Sequence, residues 1–282
     1  MGRAVRARVD ACYTCRSCDS ECPVNIFTGR LHPAELVRMA HYGLVEELLE
    51  APEIWYCLSC NRCSNVCPMN VRPAVLFGYL RREAIRHRMV PSGTADEWVE
   101  LHRQFHRIRW HVASALLRGD RAPDPLTQWD GLAEKPIQSH FISPIDLGHN
   151  LQLYSFREAS VSYLGICTEV TACLTCRECS NACPVCFEPS VFDPVLLFRL
   201  AVLGLLDIVL SSPSLWLCMG CQSCTKACPE KVKGHLLIRR LQEMALEEGY
   251  VDVNFLYQWQ RAQGELYRVL LDRVQSLLEE AA

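Results

Sequence analysis

Apolar residues recur along this chain at intervals of three and four, and no stretch alternates apolar with polar as a half-buried strand would, so the pattern predicts a mainly α fold. The clearest series is Trp98, Leu101, Phe105, Ile108, Val112, Ala115, entered by Thr94 and Glu97 in capping-box spacing. A second runs Phe255, Trp259, Ala262, Leu266, Val269. Each predicts a long amphipathic helix with an apolar seam, to be buried against the other or against a partner. Shorter helices are predicted over about Pro73 to Arg88, stopped by Pro91-Ser92-Gly93, and over His235 to Glu248, stopped by Gly249. Pro33 and Pro194 suit the first turn of two more, with Asp193 as an N-cap and Gly43 and Gly204 at the left-handed terminus. Brief helical stretches follow at Leu44 to Glu50 and Leu205 to Leu210.

The elements come in pairs because the sequence is written twice. Cys12 and Cys173, Cys57 and Cys218, and Cys67 and Cys228 are each 161 residues apart. At the same offset Pro33 falls on Pro194, Leu36 on Leu197, Arg38 on Arg199, Gly43 on Gly204, Pro52 on Pro213, Trp55 on Trp216 and Trp98 on Trp259. A tandem duplication is expected, with units at 1–121 and 151–282. Ala122 to His149, with four prolines, is expected to be an irregular linker within 122–150.

Eighteen cysteines dominate the chemistry. Four runs follow C-x2-C-x2-C-x3-C-P: Cys12, Cys15, Cys18, Cys22; Cys57, Cys60, Cys63, Cys67; Cys173, Cys176, Cys179, Cys183; and Cys218, Cys221, Cys224, Cys228. In this bacterial ferredoxin spacing three thiolates hold one iron-sulfur cube and the fourth ligates another. Three thiols on one tight turn reach three corners of a cube, and the fourth corner needs a remote segment. The expected sets are therefore Cys12, Cys15, Cys18 with Cys67; Cys57, Cys60, Cys63 with Cys22; Cys173, Cys176, Cys179 with Cys228; and Cys218, Cys221, Cys224 with Cys183. Four [4Fe-4S] clusters follow, fully ligated, which points to electron relay rather than substrate activation. A structural zinc reading fits a spacing repeated four times poorly.

Composition narrows the setting. No apolar signal segment is read at Met-Gly-Arg-Ala-Val-Arg, and so many thiols suit a reducing compartment, with the cytoplasm as default. The most apolar run, Val195 to Leu210, is broken by Arg199 and Asp207 and is shorter than the roughly 20 residues a membrane span needs. Net charges of +2 for residues 1–141 and −5 for 142–282 are too mild to indicate nucleic acid.

Some residues admit two readings. Cys167 and Cys186, where the first half has Arg6 and Asn25, are either extra ligands or redox thiols, or small buried hydrophobes. His102 and His106, four apart on a predicted helix with His111 near, have a spacing that would suit a haem or zinc site, but interleaved with Arg103, Arg107 and Arg109 and without a carboxylate cluster they read as a solvated basic face. With Arg81, Arg82, Arg86 and Arg88, that face could meet an acidic partner. Trp55 and Trp216, two residues ahead of a ligand Cys, shield a cluster or simply fill the core.

The paired Cys runs, the Arg-Met-Ala-His-Tyr-Gly-Leu stretch and the Pro-Glu-Ile-Trp-Tyr-Cys segment together resemble the C-type iron-sulfur subunits of heterodisulfide reductases, in the alpha-helical ferredoxin group. The likeness covers about residues 9 to 88 and 170 to 248. Iron-sulfur subunits of succinate dehydrogenase and glycolate oxidase are similar too. The resemblance implies two alpha-helical ferredoxin-like units, each with two clusters and a long helix. It also implies an electron wire between a flavin-containing A-type subunit and a B-type or other catalytic subunit, in anaerobic energy or sulfur metabolism. There is no Cys-Cys pair of the kind in the family's catalytic B-type subunit, so no substrate-converting site is expected here. The alternatives are a free-standing soluble polyferredoxin and a protein whose clusters only hold the fold.

Overall fold

The computed structural model describes residues 7–137 and 168–280. Among them the regular structure is helical, α or 3-10, with no strand. Internal contacts divide the chain into two compact units, one of residues 1–105 with 263–282 and the other of residues 106–262. The sequence units keep each long helix whole, whereas the contacts divide both helices between units. Thr94–Leu117 passes from the first unit to the second after Phe105, and Val253–Glu280 passes back after Ala262.

In the first unit, proline opens the helices Pro23–Thr28, Pro33–His41 and Pro73–Arg86, at positions whose N–H has no helical partner. Gly29 and Gly43 follow the first two with φ of +66° and +78°, where a side chain would be strained. Val45–Glu50 and Glu53–Tyr56 complete the wall. Val24, Leu31, Val37, Leu48, Ile54, Phe77, Leu80 and Ala84 are buried among these helices. Each of the large ones contributes roughly 1.5–3 kcal/mol. The long helices close this core: Trp98 Nε1 donates to the Trp55 carbonyl at 2.7 Å. Tyr267 stacks on Phe27 at 4.9 Å and meets the edge of Phe105 at 5.0 Å. Arg30 donates to Tyr56 Oη at 2.9 Å and Asp272 at 3.0 Å, and Tyr56 donates to Gln275 at 2.7 Å.

The second unit repeats much of this plan. Asp193 accepts the Val195 N–H at 3.1 Å and so caps Pro194–Val202, as expected. Gly204, at φ +72°, leads to Leu206–Leu210. The 3-10 helix Pro213–Leu217 and Gly234–Glu247 follow, and Asp252 accepts the Phe255 N–H at 2.7 Å as the last helix begins. Trp216 meets the edge of Phe255 at 4.7 Å. The seam residues Phe105, Ile108, Val112, Phe255 and Leu266 are all buried within the chain.

Part of the stretch expected to be irregular is a helix, Pro125–Glu134, capped by Asp124, which accepts the Leu126 N–H at 3.0 Å. Trp129, Leu132 and Ala133 bury its apolar face, and Arg107 donates to the Ala133 and Lys135 carbonyls at 2.8 and 2.9 Å. Four prolines suggested loop, but Pro125 occupies a first turn, where proline favours a helix. Residues 138–150 of that stretch lie outside the described residues.

Candidate metal centres

The four Cys runs adopt the same local backbone. The residue before and the residue after the second Cys of each run have positive φ: Thr14 and Arg16, Ser59 and Asn61, Thr175 and Arg177, Gly220 and Gln222, all between +53° and +66°. Such turns aim successive N–H groups into one concavity suited to a negatively charged group. Ser59 N–H donates to Cys57 Sγ, and Gly220 N–H to Cys218 Sγ, both at 3.4 Å. Val71 N–H does the same for Cys67 at 3.4 Å. A short helix then carries the third Cys in each run: Ser17–Ser20, Arg62–Asn65, Glu178–Asn181 and Ser223–Ala227.

Three cavities gather thiols from two runs each. Cys12, Cys15 and Cys18 share one of about 370 Å³, mouth included, with Cys67. Cys57, Cys60 and Cys63 share one of about 310 Å³ with Cys22. Cys173, Cys176 and Cys179 share the third, about 360 Å³, with Cys228, and Cys224 borders it too. Cys183 lies within electrostatic reach of Cys218 and Cys221, as does Cys224. Cys15 and Cys176 are exposed, whereas Cys57, Cys60 and Cys63 are buried.

The donor set suits a cationic iron core. Burial, with neighbouring thiolates and, at Cys18, first the Asp19 carboxylate adding to it, pushes the Cys18, Cys179 and Cys224 thiols up to about 12 and Cys63 well up. Burial also raises Cys22 to about 12 and raises Cys183. Thiolates so close to one another persist only with a metal among them. Among the described residues no His, Cys, Asp or Glu side chains converge tightly enough to hold a single metal ion. The wider thiol-lined cavities accord with a multi-iron cube.

Two buried charges beside the cavities carry no local sequence signal strong enough to have been expected. Asp19 Oδ1 accepts the Ala34 N–H at 2.7 Å, and its Oδ2 accepts from Arg16 at 3.1 Å. At the corresponding place in the second unit stands Ser180, and the carboxylate comes instead from Asp193, which accepts from Ser180 Oγ at 2.5 Å and Arg177 at 2.9 Å. A carboxylate at 19 in one half and at 193 in the other, with Ser180 and His32 at the complementary positions, was the available sign. Arg81, the other charge, donates from Nη1 to the Ile54 and Cys57 carbonyls at 2.8 and 3.2 Å and from Nη2 to Ser59 Oγ at 2.6 Å. Gln242, 161 residues on, donates to the Leu215 carbonyl at 2.9 Å.

The expectation of a solvated basic face is corrected here. His102, His106, His111, Arg109 and Arg81 are all under 8% exposed. Arg109 and His111 meet backbone carbonyls, Arg109 reaching Leu217 O at 3.0 Å and His111 Nε2 lying 3.2 Å from Lys135 O, and His106 Nδ1 lies 3.2 Å from Arg109 Nη1. Burial, then Arg81, lowers the pKa of His102 to about 3, and burial lowers that of His111 to about 4, so both are neutral. Trp55 and Trp216 are buried. Cys186 is half-buried, its thiol pushed up to about 11 by burial, and Cys167 lies outside the described residues.

Residues 9–72 match the family described as 4Fe-4S dicluster domain. The iron-sulfur C-type subunit of the CoB–CoM heterodisulfide reductase from Methanopyrus kandleri is 34% identical over 82 residues, 29% of this chain and 42% of that protein. The chain thus spans less than half the length of the curated relative it matches. No solved structure matches it. Among the described residues no helix is long and apolar enough to cross a membrane.

Proposed function

We propose that the chain is an electron-transfer subunit of a heterodisulfide reductase-like complex, with four [4Fe-4S] clusters in two tandem alpha-helical ferredoxin-like units. The units are residues 1–121 and 151–282, joined through 122–150. The observation that carries this reading is the exchange of thiols: Cys67 lines the cavity of the first run while Cys22 lines that of the second. That arrangement supports reciprocal ligation of the kind found in two-cluster ferredoxins.

A bound cluster supplies a one-electron carrier, and the protein supplies what makes it useful. Each set of four thiols leaves no iron open to substrate. Trp55 and Trp216, buried next to the second run of each unit, keep water from it. The matching carbonyl bonds of Arg81 and Gln242, and the matching left-handed residues, support the duplication. The likeness to a C-type subunit supports a place between a flavin-containing A-type subunit and a B-type or other catalytic subunit, and the many thiols suit a reducing compartment such as the cytoplasm.

Anaerobic iron and sulfide analysis tests the cluster count, with about sixteen irons expected per chain from four cubes. About half that content in folded protein would refute four clusters. Copurification with flavin or further iron-sulfur subunits tests the complex. A lone monomer in anaerobic extracts would favour the free polyferredoxin.

A further inference from the structure

Two charges of opposite sign are buried against the paired cavities of the first unit. Asp19 follows Cys18 in the chain and binds the N–H of Ala34, which lines the Cys12, Cys15, Cys18, Cys67 cavity. Its partner Arg16 has a side chain 68% exposed, so water screens that cation. Arg81 is only 7% exposed and bonds the second run itself, at the Cys57 carbonyl and Ser59 Oγ. Its guanidinium carbon lies 4.2 Å from the Trp98 ring centroid. These partners are neutral, and among the described residues no carboxylate pairs with Arg81. A guanidinium remains protonated inside a protein, and a buried unpaired charge is strongly disfavoured. The anionic group that acts on it is the Cys57 thiolate, one of the four thiols, with Cys22, Cys60 and Cys63, that line the second cavity.

We infer that Arg81 is a potential-setting residue, whose buried positive charge makes the Cys22, Cys57, Cys60, Cys63 centre the first of the two in its unit to accept an electron. The inference rests on the proposed clusters. An added electron makes a centre more negative, which a buried cation favours and a buried carboxylate opposes. The exposed Cys15 then marks the entry side, and the buried second run the side toward which the electron moves. With clusters held by these two thiol sets, the transfer would move one electron from the first centre to the second, with no bond made or broken and no proton moved. Arg81 also donates to the Ile54 carbonyl, and Gln242 bonds the carbonyl of Leu215, 161 residues on from Ile54, so a neutral amide can supply that one contact.

The test is an EPR-monitored redox titration of the full chain carrying its clusters, with dithionite as reductant, for the unaltered protein, Arg81→Gln and Arg81→Lys. Arg81→Gln should lower one midpoint potential, by about tenfold in the one-electron equilibrium constant or ~59 mV. Arg81→Lys, which keeps the charge, should restore most of it. Asp19→Asn should raise the potential of a different centre. Unchanged potentials in Arg81→Gln with clusters present overturn this inference alone, as does an equal fall in Gln and Lys variants. Absence of iron-sulfur signals from the unaltered protein overturns the proposed function with it.

Discussion

Gly234 lies so close beneath Phe198 that a Cβ on it would stand 2.4 Å from the ring's Cζ and 3.1 Å from Cys224 Sγ. Alanine in a helix is ordinarily favoured over glycine by roughly 0.5–1 kcal/mol. Here Phe198 is buried and has no room to retreat, and overpacking of that kind costs about 1–3 kcal/mol. Gly234→Ala should therefore destabilise the protein and lower its iron content. Denaturant melts showing equal or greater stability would refute the steric argument.

Asp19 and Asp193 do one task from two places in the sequence. Asp19→Ser should cost about 0.5–2 kcal/mol, because the Ala34 N–H loses its acceptor. Adding His32→Asp reproduces the Ser180 and Asp193 arrangement and should recover most of the loss. A double-mutant cycle measures this, and additive losses would show that the halves are not interchangeable here.

Cys67→Ser should perturb the centre of Cys12, Cys15 and Cys18 and spare that of Cys57, Cys60 and Cys63, since Cys67 lines the first of these two cavities and not the second. Cys22→Ser should do the reverse. EPR of the reduced variants distinguishes the two centres, and loss of the same signal in both variants would contradict the exchange.

His102 is buried beside Trp98, with ring centroids 3.9 Å apart, and its Nε2 has no hydrogen-bond partner. Its pKa, lowered to about 3 in the folded chain, lies below the unfolded value near 6.5, so the unfolded chain binds the extra proton between these limits. Stability from this group is full above pH 6.5 and falls as pH drops, by up to about 1.4 kcal/mol per unit. His102→Leu should flatten that slope in urea melts between pH 7 and 5.5. An unchanged slope would show that other groups govern it.

Much of this molecule was legible because its signals are local. The spacing of the Cys runs, Pro33 and Pro194 at first turns, Gly43 and Gly204 at helix ends and the Asp193 cap each act within a few residues, so sequence alone determined those helices and the candidate ligands, though not the helix Pro125–Glu134. Only the tertiary structure decided what depends on neighbours far along the chain. His102, Arg81 and Arg109 look solvated in a row of arginines, yet they are buried because carbonyls or an aromatic ring elsewhere receive them. The division of the long helices between the two units depended on distant partners as well. Tyr267 finds Phe27, and Gln275 finds Tyr56, across more than two hundred residues of sequence. Periodicity marks which face of a helix is apolar, but packing alone selects what that face meets.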